Sequence, residues 1–480
     1  MQRPAGDIVT LLDITPRDYQ DNVLFPLGSE KTWWLPDSER RVRPFTVSLQ
    51  QFPFRGPTGF GQRFTFDLKS VNCGDLLLST VLEIDLRHWL DDTSILRFES
   101  GQYSYPQGAQ PWAWANSLGT VILERAELEV NDQTIETIDG DFLNTISLLF
   151  LDQNNQFGYG VDGLGRYPFT QLATTPSTRP FPTPSGKLLI PLPFFYQRIR
   201  LQEAFPLLAC KEGSVRIHIT LRPFEECIRK LSGQRSSTSE TPLNQSLTVT
   251  NNIGPIKIEQ QIQTGANPPS FNSIQLITYA ANTDGKMRQK ILRDPFEILH
   301  RGVQTFFFDE PLKYQVNKTS SDIIQIQLPL EVNHPMEEII WFVRLKDVRN
   351  NNEWTNYSST LQTTYDSIYN PRQPLLHGAS IQLNGIELIK AEEEWFRQHI
   401  SLLHKGGNSA YENYIYGYSF AKNPGEHQPS NTANASRLQS VRLTLDVKAP
   451  TGFLWEVKVF VLQLQWLRFQ NGICNKLFMD

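Results

Sequence analysis

Alternation of apolar and polar residues with a period of two is the dominant pattern in this chain of 480 residues. It is clearest in residues 215–222, 324–330 and 441–448, where Val, Ile or Leu stands at every second position. Successive side chains of a β-strand point to opposite faces, so each segment predicts a strand with one buried face and one solvated face. Residues 339–343 are continuously apolar and predict a strand buried on both faces. The sequence therefore predicts an all-β protein.

Two short helices are predicted within this pattern, and both follow the same local arrangement. Residues 391–404 begin with acidic residues and end with His404, an order that suits the helix dipole. A weaker helix is predicted to begin near Asp141. Each helix follows two strand-like segments joined by an Asn-centred turn, at Asn131 or at Asn384, and Asn tolerates the positive φ of such turns. The two units lie about half the chain apart and predict an internal repeat.

A polar stretch at residues 231–269, rich in Ser, Thr, Asn and Gln, separates the two repeated units. This composition is typical of a linker or a long surface loop. The sequence therefore predicts an N-terminal arm at 1–40, a first domain at 41–230, the linker, and a second domain at 270–480.

Charge and cysteine content narrow the range of functions. The formal net charge is −5 and no long run of like charges occurs, so we expect no direct contact with nucleic acid. The four cysteines, Cys73, Cys210, Cys227 and Cys474, form no C-x-x-C pair, which predicts buried thiols in a reducing compartment and no zinc site. Neither a secretory leader nor a run of 18 apolar residues is recognised, so we expect no transmembrane helix.

The sequence contains none of the common catalytic motifs: phosphate-binding, zinc-protease, serine-hydrolase and dinucleotide-binding patterns do not occur. Glycosidases need two carboxylates across a cleft, whereas the acids of Glu225–Glu226, Glu337–Glu338 and 392–394 are chain neighbours. We expect these acids to be solvated. The sequence predicts no catalytic residue, no metal ligand and no cofactor.

Histidine and tryptophan pairs offer weaker alternatives. His218 is expected on the polar face of its strand, and His399 and His404 share a helix face poorly, so surface or hydrogen-bonded histidines are expected. Trp112 and Trp114 would share one strand face and could stack on a sugar, but core packing or a subunit contact is the interpretation that we favour.

Four Asn-x-Ser/Thr sequons make Asn244, Asn317, Asn356 and Asn434 candidate N-glycosylation sites. Because no secretory leader is recognised, we expect each of them to be unmodified.

Five segments, in order along the chain, carry a resemblance to a known family. The most specific are LPLEVNHPMEEIIWFVRL at 328–345 and YGYSFAKNPGEHQPSNTANASRL at 416–438; the others are residues 63–86, 114–144 and 191–222. Together they resemble the major capsid proteins of nucleocytoplasmic large DNA viruses, the group that includes iridoviruses and phycodnaviruses.

The resemblance implies two tandem eight-stranded antiparallel jelly rolls with short helices in the loops. It also implies a homotrimeric capsomer that tiles the shell of an icosahedral virion, assembled in the cytoplasm of the infected host cell. Implied partners are copies of the chain, neighbouring capsomers, minor capsid and penton proteins, and an internal membrane reached indirectly.

Two other functions stay open at this point. One is a scaffold or minor capsid paralogue of the same fold, because residues 198–201 depart from the family pattern. The other is a carbohydrate-binding jelly-roll protein, which predicts a cleft with clustered acids and aromatic residues. The loops at 100–112 and 347–370 are polar and rich in turn residues, and we expect them to be exposed towers.

Overall fold

The computed structural model describes residues 44–86, 97–99, 102–104, 112–150, 163–166, 186–197, 204–230, 233–234, 248–249, 271–309, 323–349, 352–359, 373–404, 414–426, 428–449 and 453–477. The chain divides into two units, Met1–Pro44 and Phe45–Asp480, and every element below belongs to the second. The arm predicted at 1–40 lies outside the described residues, as does most of the linker predicted at 231–269.

Strands dominate the described residues, as the alternation predicts. In chain order they are β1 Phe45–Pro53, β2 Arg63–Leu68, β3 Leu76–Leu86, β4 Arg97–Glu99, β5 Gln102–Ser104, β6 Trp112–Trp114, β7 Leu123–Val130, β8 Gln133–Asp139, β9 Lys187–Pro191, β10 Val215–Leu221, β11 Ile228–Lys230, β12 Gly233–Gln234, β13 Thr248–Val249, β14 Phe271–Thr283, β15 Phe296–Phe308, β16 Ile324–Leu330, β17 Pro335–Leu345, β18 Leu376–Leu383, β19 Ile386–Glu392, β20 Ile415–Ser419, β21 Ala433–Asn434, β22 Val441–Val447, β23 Trp455–Gln470 and β24 Ile473–Lys476.

The helices are short. They are α1 Ser70–Cys73, α2 Leu118–Ile122, α3 Gly140–Leu149, α4 Gly285–Arg293 and α5 Glu393–Leu403, with 3-10 turns at Leu207–Cys210, Phe224–Glu226, Lys346–Arg349 and Ala435–Arg437. Helices α3 and α5 are the two that the sequence predicts.

The first half forms two four-stranded antiparallel sheets, in the strand orders β1-β14-β3-β9 and β2-β10-β7-β8. When these eight strands are lettered B to I in chain order, the sheets read B-I-D-G and C-H-E-F, which is a jelly roll. Both sheets contribute to one core: the ring of Phe54, just after β1, meets Phe64 of β2 with centroids 4.9 Å apart. In β10, Ile217 and Ile219 are fully buried, as the period-two pattern requires.

The second half repeats this topology, with sheets in the orders β15-β23-β17-β20 and β16-β22-β18-β19. Even an irregularity recurs. The pairing of β3 with β14 skips a residue between Leu77 and Ser79, and that of β17 with β23 skips one between Met336 and Glu338. The predicted all-β double jelly roll and its internal repeat are confirmed.

The hairpins before helices α3 and α5 have the predicted turns. Asn131 and Asp132 have φ of 52° and 60°, and Asn384 and Gly385 have φ of 52° and 79°. Positive φ at both central residues defines a type I′ turn, whose twist matches that of the flanking strands. The local sequence therefore sets both hairpins.

One strand that lies within the predicted second domain belongs to a sheet of the first jelly roll. Strand β14, at Phe271–Thr283, falls within the predicted second domain of 270–480. It nevertheless hydrogen-bonds between β1 and β3, as strand I of the first jelly roll. Periodicity predicts a strand but not the sheet that it joins. We therefore propose that the boundary between the two jelly rolls lies just after Thr283.

Candidate functional site: the buried contact between the two jelly rolls

Helix α3 of the first jelly roll is buried along its whole length, Gly140–Leu149, although it lies outside the sheets of its own domain. The Asp139 carboxylate caps it by accepting a hydrogen bond from the backbone N–H of Phe142 at 2.8 Å. A Cβ atom at Gly140 would collide with the carbonyl oxygens of Thr120 and Leu123, so only glycine fits there. The helix is thus held at a fixed distance from its own jelly roll, and its other side meets the second one.

An ion pair joins this helix to the second jelly roll. The guanidinium of Arg344, on β17, donates to Asp141 at 2.9 Å, to Glu456 of β23 at 2.6 Å, and to the carbonyl of Trp354 at 3.0 Å. Burial by itself raises the pKa of Asp141, but Arg344 and Lys458 outweigh it and hold that pKa below its ordinary value. The pair is therefore charged in the folded protein.

Two further cations complete the network. The Lys458 ammonium lies 2.5 Å from Asp139 and 2.8 Å from Asp141. Burial lowers the pKa of Lys458, but the two aspartates more than offset this and raise it. Arg349 pairs with the second oxygen of Glu456 at 2.6 Å. Three carboxylates thus face three cations, of which Arg349 is 45% exposed, so these six groups together carry no net charge.

Apolar and aromatic contacts surround the charges. The rings of Phe142 on α3 and Phe460 on β23 lie 5.2 Å apart. The Asn144 side-chain amide donates to the hydroxyl of Tyr357 at 2.8 Å, and both side chains are buried. Burial raises the pKa of Tyr357, which therefore stays a neutral acceptor. Such packing excludes water, and the ion pairs are stronger for it.

The segment at 352–359 of the second jelly roll also contacts the first jelly roll. Asn352 donates from its side chain to the carbonyl of Glu225 at 2.7 Å, and the Trp354 indole N–H donates to the carbonyl of Glu226 at 3.1 Å. The Arg222 guanidinium lies 4.1 Å above the Trp354 ring. The prediction of an exposed tower at 347–370 is wrong for residues 352–359, because they pack against the first jelly roll. Of the 100–112 loop, the structure describes β5 and the first residue of β6 by backbone alone, so that expectation stays a prediction.

A third connection involves the C-terminal strand. Asn131 donates to the carbonyl of Cys474 at 3.1 Å, and the backbone N–H of Glu212 donates to the carbonyl of Gly472 at 3.2 Å. Contact with Cys474 and burial together raise the pKa of the Cys210 thiol. All four cysteines are buried, as predicted, and no disulfide joins any two of them.

The four candidate glycosylation sites have different outcomes. Asn356 is buried: its amide donates to Glu353 at 2.8 Å, and its oxygen accepts from the backbone N–H of Ser358 at 3.0 Å. A glycan has no access there, so this candidate is excluded in the folded chain. Asn434 is exposed, so this candidate stays a prediction. Asn244 and Asn317 lie outside the described residues.

The expectation that the paired acids are solvated is wrong for Glu337 and Glu338, which are both fully buried. Glu337 pairs with Arg301 at 2.6 Å, and Glu338 contacts His404 at 2.9 Å. The skipped residue in the β17–β23 pairing is Glu337 itself, and a bulge of this kind redirects side chains.

The acids at 392–394 divide in the same way. Glu393 is buried and pairs with Arg397 at 3.1 Å, whereas Glu392 and Glu394 are exposed. Glu225 is exposed, as expected, and Glu226 is partly exposed and pairs with Arg222 at 3.1 Å.

The remaining candidates are structural. His218 contacts Thr65 at 2.9 Å, and His399 stacks on Trp395 with centroids 4.5 Å apart. Trp114 is buried against Phe224, which agrees with core packing, and the side chain of Trp112 lies outside the described part of the chain. Within the described residues, no group of His, Cys, Asp and Glu is arranged to hold a metal ion. Among those residues there is also no helix of the length and apolarity that a membrane span needs.

A double jelly roll whose two halves meet in a buried internal contact is an architecture typical of viral shell proteins. Sequence profiles agree. The family described as "Large eukaryotic DNA virus major capsid protein" matches residues 300–472, and "Major capsid protein N-terminus" matches residues 35–254. The chain belongs to the major capsid protein family of large eukaryotic DNA viruses.

Individual relatives are distant. The chain is 24% identical to the major capsid protein of Phaeocystis pouchetii virus over 71% of this chain and 58% of that protein. It therefore spans less than two thirds of the length of that relative. In structure it is similar to the capsid protein in the PBCV-1 virus capsid, with a TM-score of 0.66 and 19% identity over 94% of this chain and 100% of that one. It is also similar to the Faustovirus major capsid protein, with a TM-score of 0.64 and 12% identity over 97% of this chain and 96% of that one. These two likenesses establish the fold.

Proposed function

We propose that this chain is a non-enzymatic major capsid protein whose copies associate as trimers and tile the icosahedral shell of a virion. The observation that carries this proposal is the buried contact between its two jelly rolls. Each chain then supplies two lobes of one topology in one fixed orientation, and three chains give six similar lobes. A six-lobed block packs into near-hexagonal arrays.

The character of the internal contact suits a shell component. Charged side chains that are buried and paired in one geometry resist small shifts between the lobes, because any shift leaves a charge unpaired in a region without water. A lattice needs building blocks of constant shape, since many modest contacts between blocks must form together. The network around Arg344 and Asp141 supplies that constancy.

The partners proposed are neighbouring capsomers, minor capsid proteins and penton proteins, with an internal membrane reached through other proteins. The site of action is the virion capsid, after assembly in the host cytoplasm. The net charge of −5 supports a chain that does not coat nucleic acid directly.

The carbohydrate-binding alternative finds little support. A cavity of about 420 Å³ is lined by Glu392, Glu393 and Glu394 with His377 and Lys448. Its lining residues include no Trp, Tyr or Phe, the side chains on which sugar rings commonly stack. The scaffold alternative has the same fold and differs in whether the protein stays in the mature particle.

The test is the solution mass of the purified full chain by light scattering, with negative-stain images of the same sample. We expect three times 55.1 kDa and hexagonal outlines. A stable monomer over the working range of concentration would overturn the trimer. Detection of the chain in purified mature virions by mass spectrometry supports a shell protein, and its absence there supports the scaffold.

A further inference from the structure

We infer that helix α5 of one copy, with strand β19, sits on the outer face of the β1-β14-β3-β9 sheet of the next copy. This assignment of the contact surfaces rests on the proposed trimer. It follows from the internal repeat, because the equivalent surfaces already meet within one chain.

Within the chain, helix α3 lies on the outer face of the sheet β15-β23-β17-β20. Asp141 contacts Arg344 of β17, and Phe142 contacts Phe460 of β23. Strand β8, just before the helix, contacts β15, the edge strand of that sheet. The outer face is covered as a result: Phe342, Phe460 and their neighbours on β17 and β23 are fully buried.

On the second jelly roll the equivalent of α3 is α5, and the equivalent of β8 is β19. The segments Ile146–Leu149 and Ile400–Leu403 share the sequence Ile-Ser-Leu-Leu and fix the alignment. Equivalent residues differ sharply in exposure: Ile135 is 3% exposed and Leu388 46%, Asp141 8% and Trp395 40%, Leu148 4% and Leu402 78%. The helix face that is covered in α3 is therefore partly open in α5: Trp395 and Leu402 are exposed on either side of Gln398, whereas Phe396, the equivalent of Phe142, is buried against Trp341. We call Leu388, Trp395 and Leu402 the presenting face.

On the first jelly roll the equivalent of the covered sheet is open too. The shared bulge aligns β3 with β17 and β14 with β23, so Tyr279 corresponds to Leu462. Leu462 is fully buried, whereas Tyr279 is 38% exposed. On the edge strand β1, Val47 and Leu49 are 40% and 58% exposed beside it. We call Val47, Leu49 and Tyr279 the receiving face.

The chemistry of the two faces is matched. Asp141 meets Arg344 within the chain, but by the same alignment Arg344 corresponds to Asp85 and Asp141 corresponds to Trp395. An acid at position 395 would approach another acid, and the chain has an aromatic ring there. At the position where the internal contact has the Arg344–Asp141 ion pair, the contact between copies therefore places an aromatic ring beside a single acid and brings no second charge there.

The second copy is the occupant that the repeat supports. A presenting face and a receiving face on opposite lobes make a heterologous, head-to-tail contact, and such contacts close into a ring when the rotation allows it. Six lobes closing in this way contain three chains. Every presenting face and every receiving face in the ring is then covered.

The experiment uses two variants of the full chain, Leu402→Glu on the presenting face and Leu49→Glu on the receiving face. Both side chains are largely exposed in a single chain, at 78% and 58%, so each monomer folds. A glutamate at either position would bury an unpaired charge in the contact, which is strongly unfavourable, so we expect the mass to fall from three chains to one. Leu292→Glu is the matched control: Leu292 is 43% exposed, lies on helix α4 and belongs to neither face, so it stays trimeric.

A photo-crosslinking residue in place of Trp395 identifies the neighbour directly. Mass spectrometry is expected to find it joined to residues 45–53 or 271–283 of another chain. A trimeric Leu402→Glu variant, or crosslinks to other segments, overturns these surfaces while leaving the trimer intact. A monomeric wild-type chain overturns the proposed function itself, so the two failures are distinguishable.

Discussion

Arg344 of β17 and Asp141 of helix α3 meet at 2.9 Å, Nη1 to Oδ1, with 2% and 8% of their surfaces exposed. They belong to different jelly rolls, and Glu456 lies 2.6 Å from the same guanidinium. A buried arginine with two acids is stable as a unit and costly to divide, because desolvation of each charge is offset by its partners alone. Removal of any one group therefore tests how strongly the lobes are coupled.

The variant Arg344→Met is expected to lower the free energy of unfolding by about 3–5 kcal/mol, since Asp141 and Glu456 stay buried with a cation removed. Calorimetry measures the change as a lower and broader transition. The matched control is Arg216→Met, whose side chain is 37% exposed and pairs with Glu129 at 3.2 Å; it is expected to change the free energy of unfolding much less. Equal losses in the two variants would contradict the role of the buried network.

Acid should weaken the contact between the jelly rolls. The pKa of Asp141 is held below its ordinary value in the folded chain, so the carboxylate contributes stability that is fully present above the unfolded pKa, near 4. That contribution is lost as the pH falls from about 4 toward the folded pKa. At pH 7 we expect Asp141→Asn to be less stable than the wild type by about 3 kcal/mol, and the difference to shrink below pH 4.

Urea unfolding from pH 3 to pH 7 measures this difference. The control is Asp67→Asn: Asp67 is 68% exposed and pairs with Arg216, so its loss should matter little at any pH. A constant gap between Asp141→Asn and the wild type across this range would show that the ion pair is not the cause.

The contacts that could not be predicted from the sequence are those between residues far apart along the chain. The turns at Asn131 and Asn384 and the helices after them were predictable, because capping, positive φ and periodicity are local properties. Asp141, by contrast, has the sequence context of an ordinary acid in the first turn of a helix. Its pairing with Arg344 could not be predicted, because the two residues are 203 positions apart in the sequence. Glu337 and its partner Arg301 are 36 residues apart and meet across a bulge that no local pattern predicts.

The same limit applies to strand β14. Its place between β1 and β3 depends on which sheet has an open edge, and no local pattern in the sequence reveals that. The burial of residues 352–359 was equally out of reach, since their polar composition is typical of a surface loop. The sequence shows that the two hairpin-helix units repeat, because their residues match. It does not show that the first unit packs against the second jelly roll, because the residues of a contact surface follow no local pattern.

The four thiols should be unreactive in the native protein. Burial raises the pKa of Cys73 to about 11, so at pH 8 about one molecule in a thousand carries the thiolate that reacts with aromatic disulfide reagents. Burial also raises the pKa of Cys227, and Cys210 and Cys474 cover one another. We expect no cysteine to react with such a reagent within minutes at pH 8, and all four cysteines of each chain to react after unfolding in guanidinium. Rapid reaction of one thiol in the native state would show that its site opens.

Loss of the Asn356 amide should destabilise the chain although the residue lies in a sequon. Its oxygen accepts hydrogen bonds from the backbone N–H and the hydroxyl of Ser358, and its nitrogen donates to Glu353, all out of contact with water. Asn356→Ala removes these three buried hydrogen bonds, so we expect a loss of about 2 kcal/mol in the free energy of unfolding. Asn434→Ala is the control, because Asn434 is exposed and caps a short 3-10 turn, and it is expected to cost less than about 1 kcal/mol. Urea unfolding measures the free energy of unfolding of both variants. If Asn356→Ala and Asn434→Ala lower it equally, the Asn356 side chain does not stabilise the segment that joins the jelly rolls.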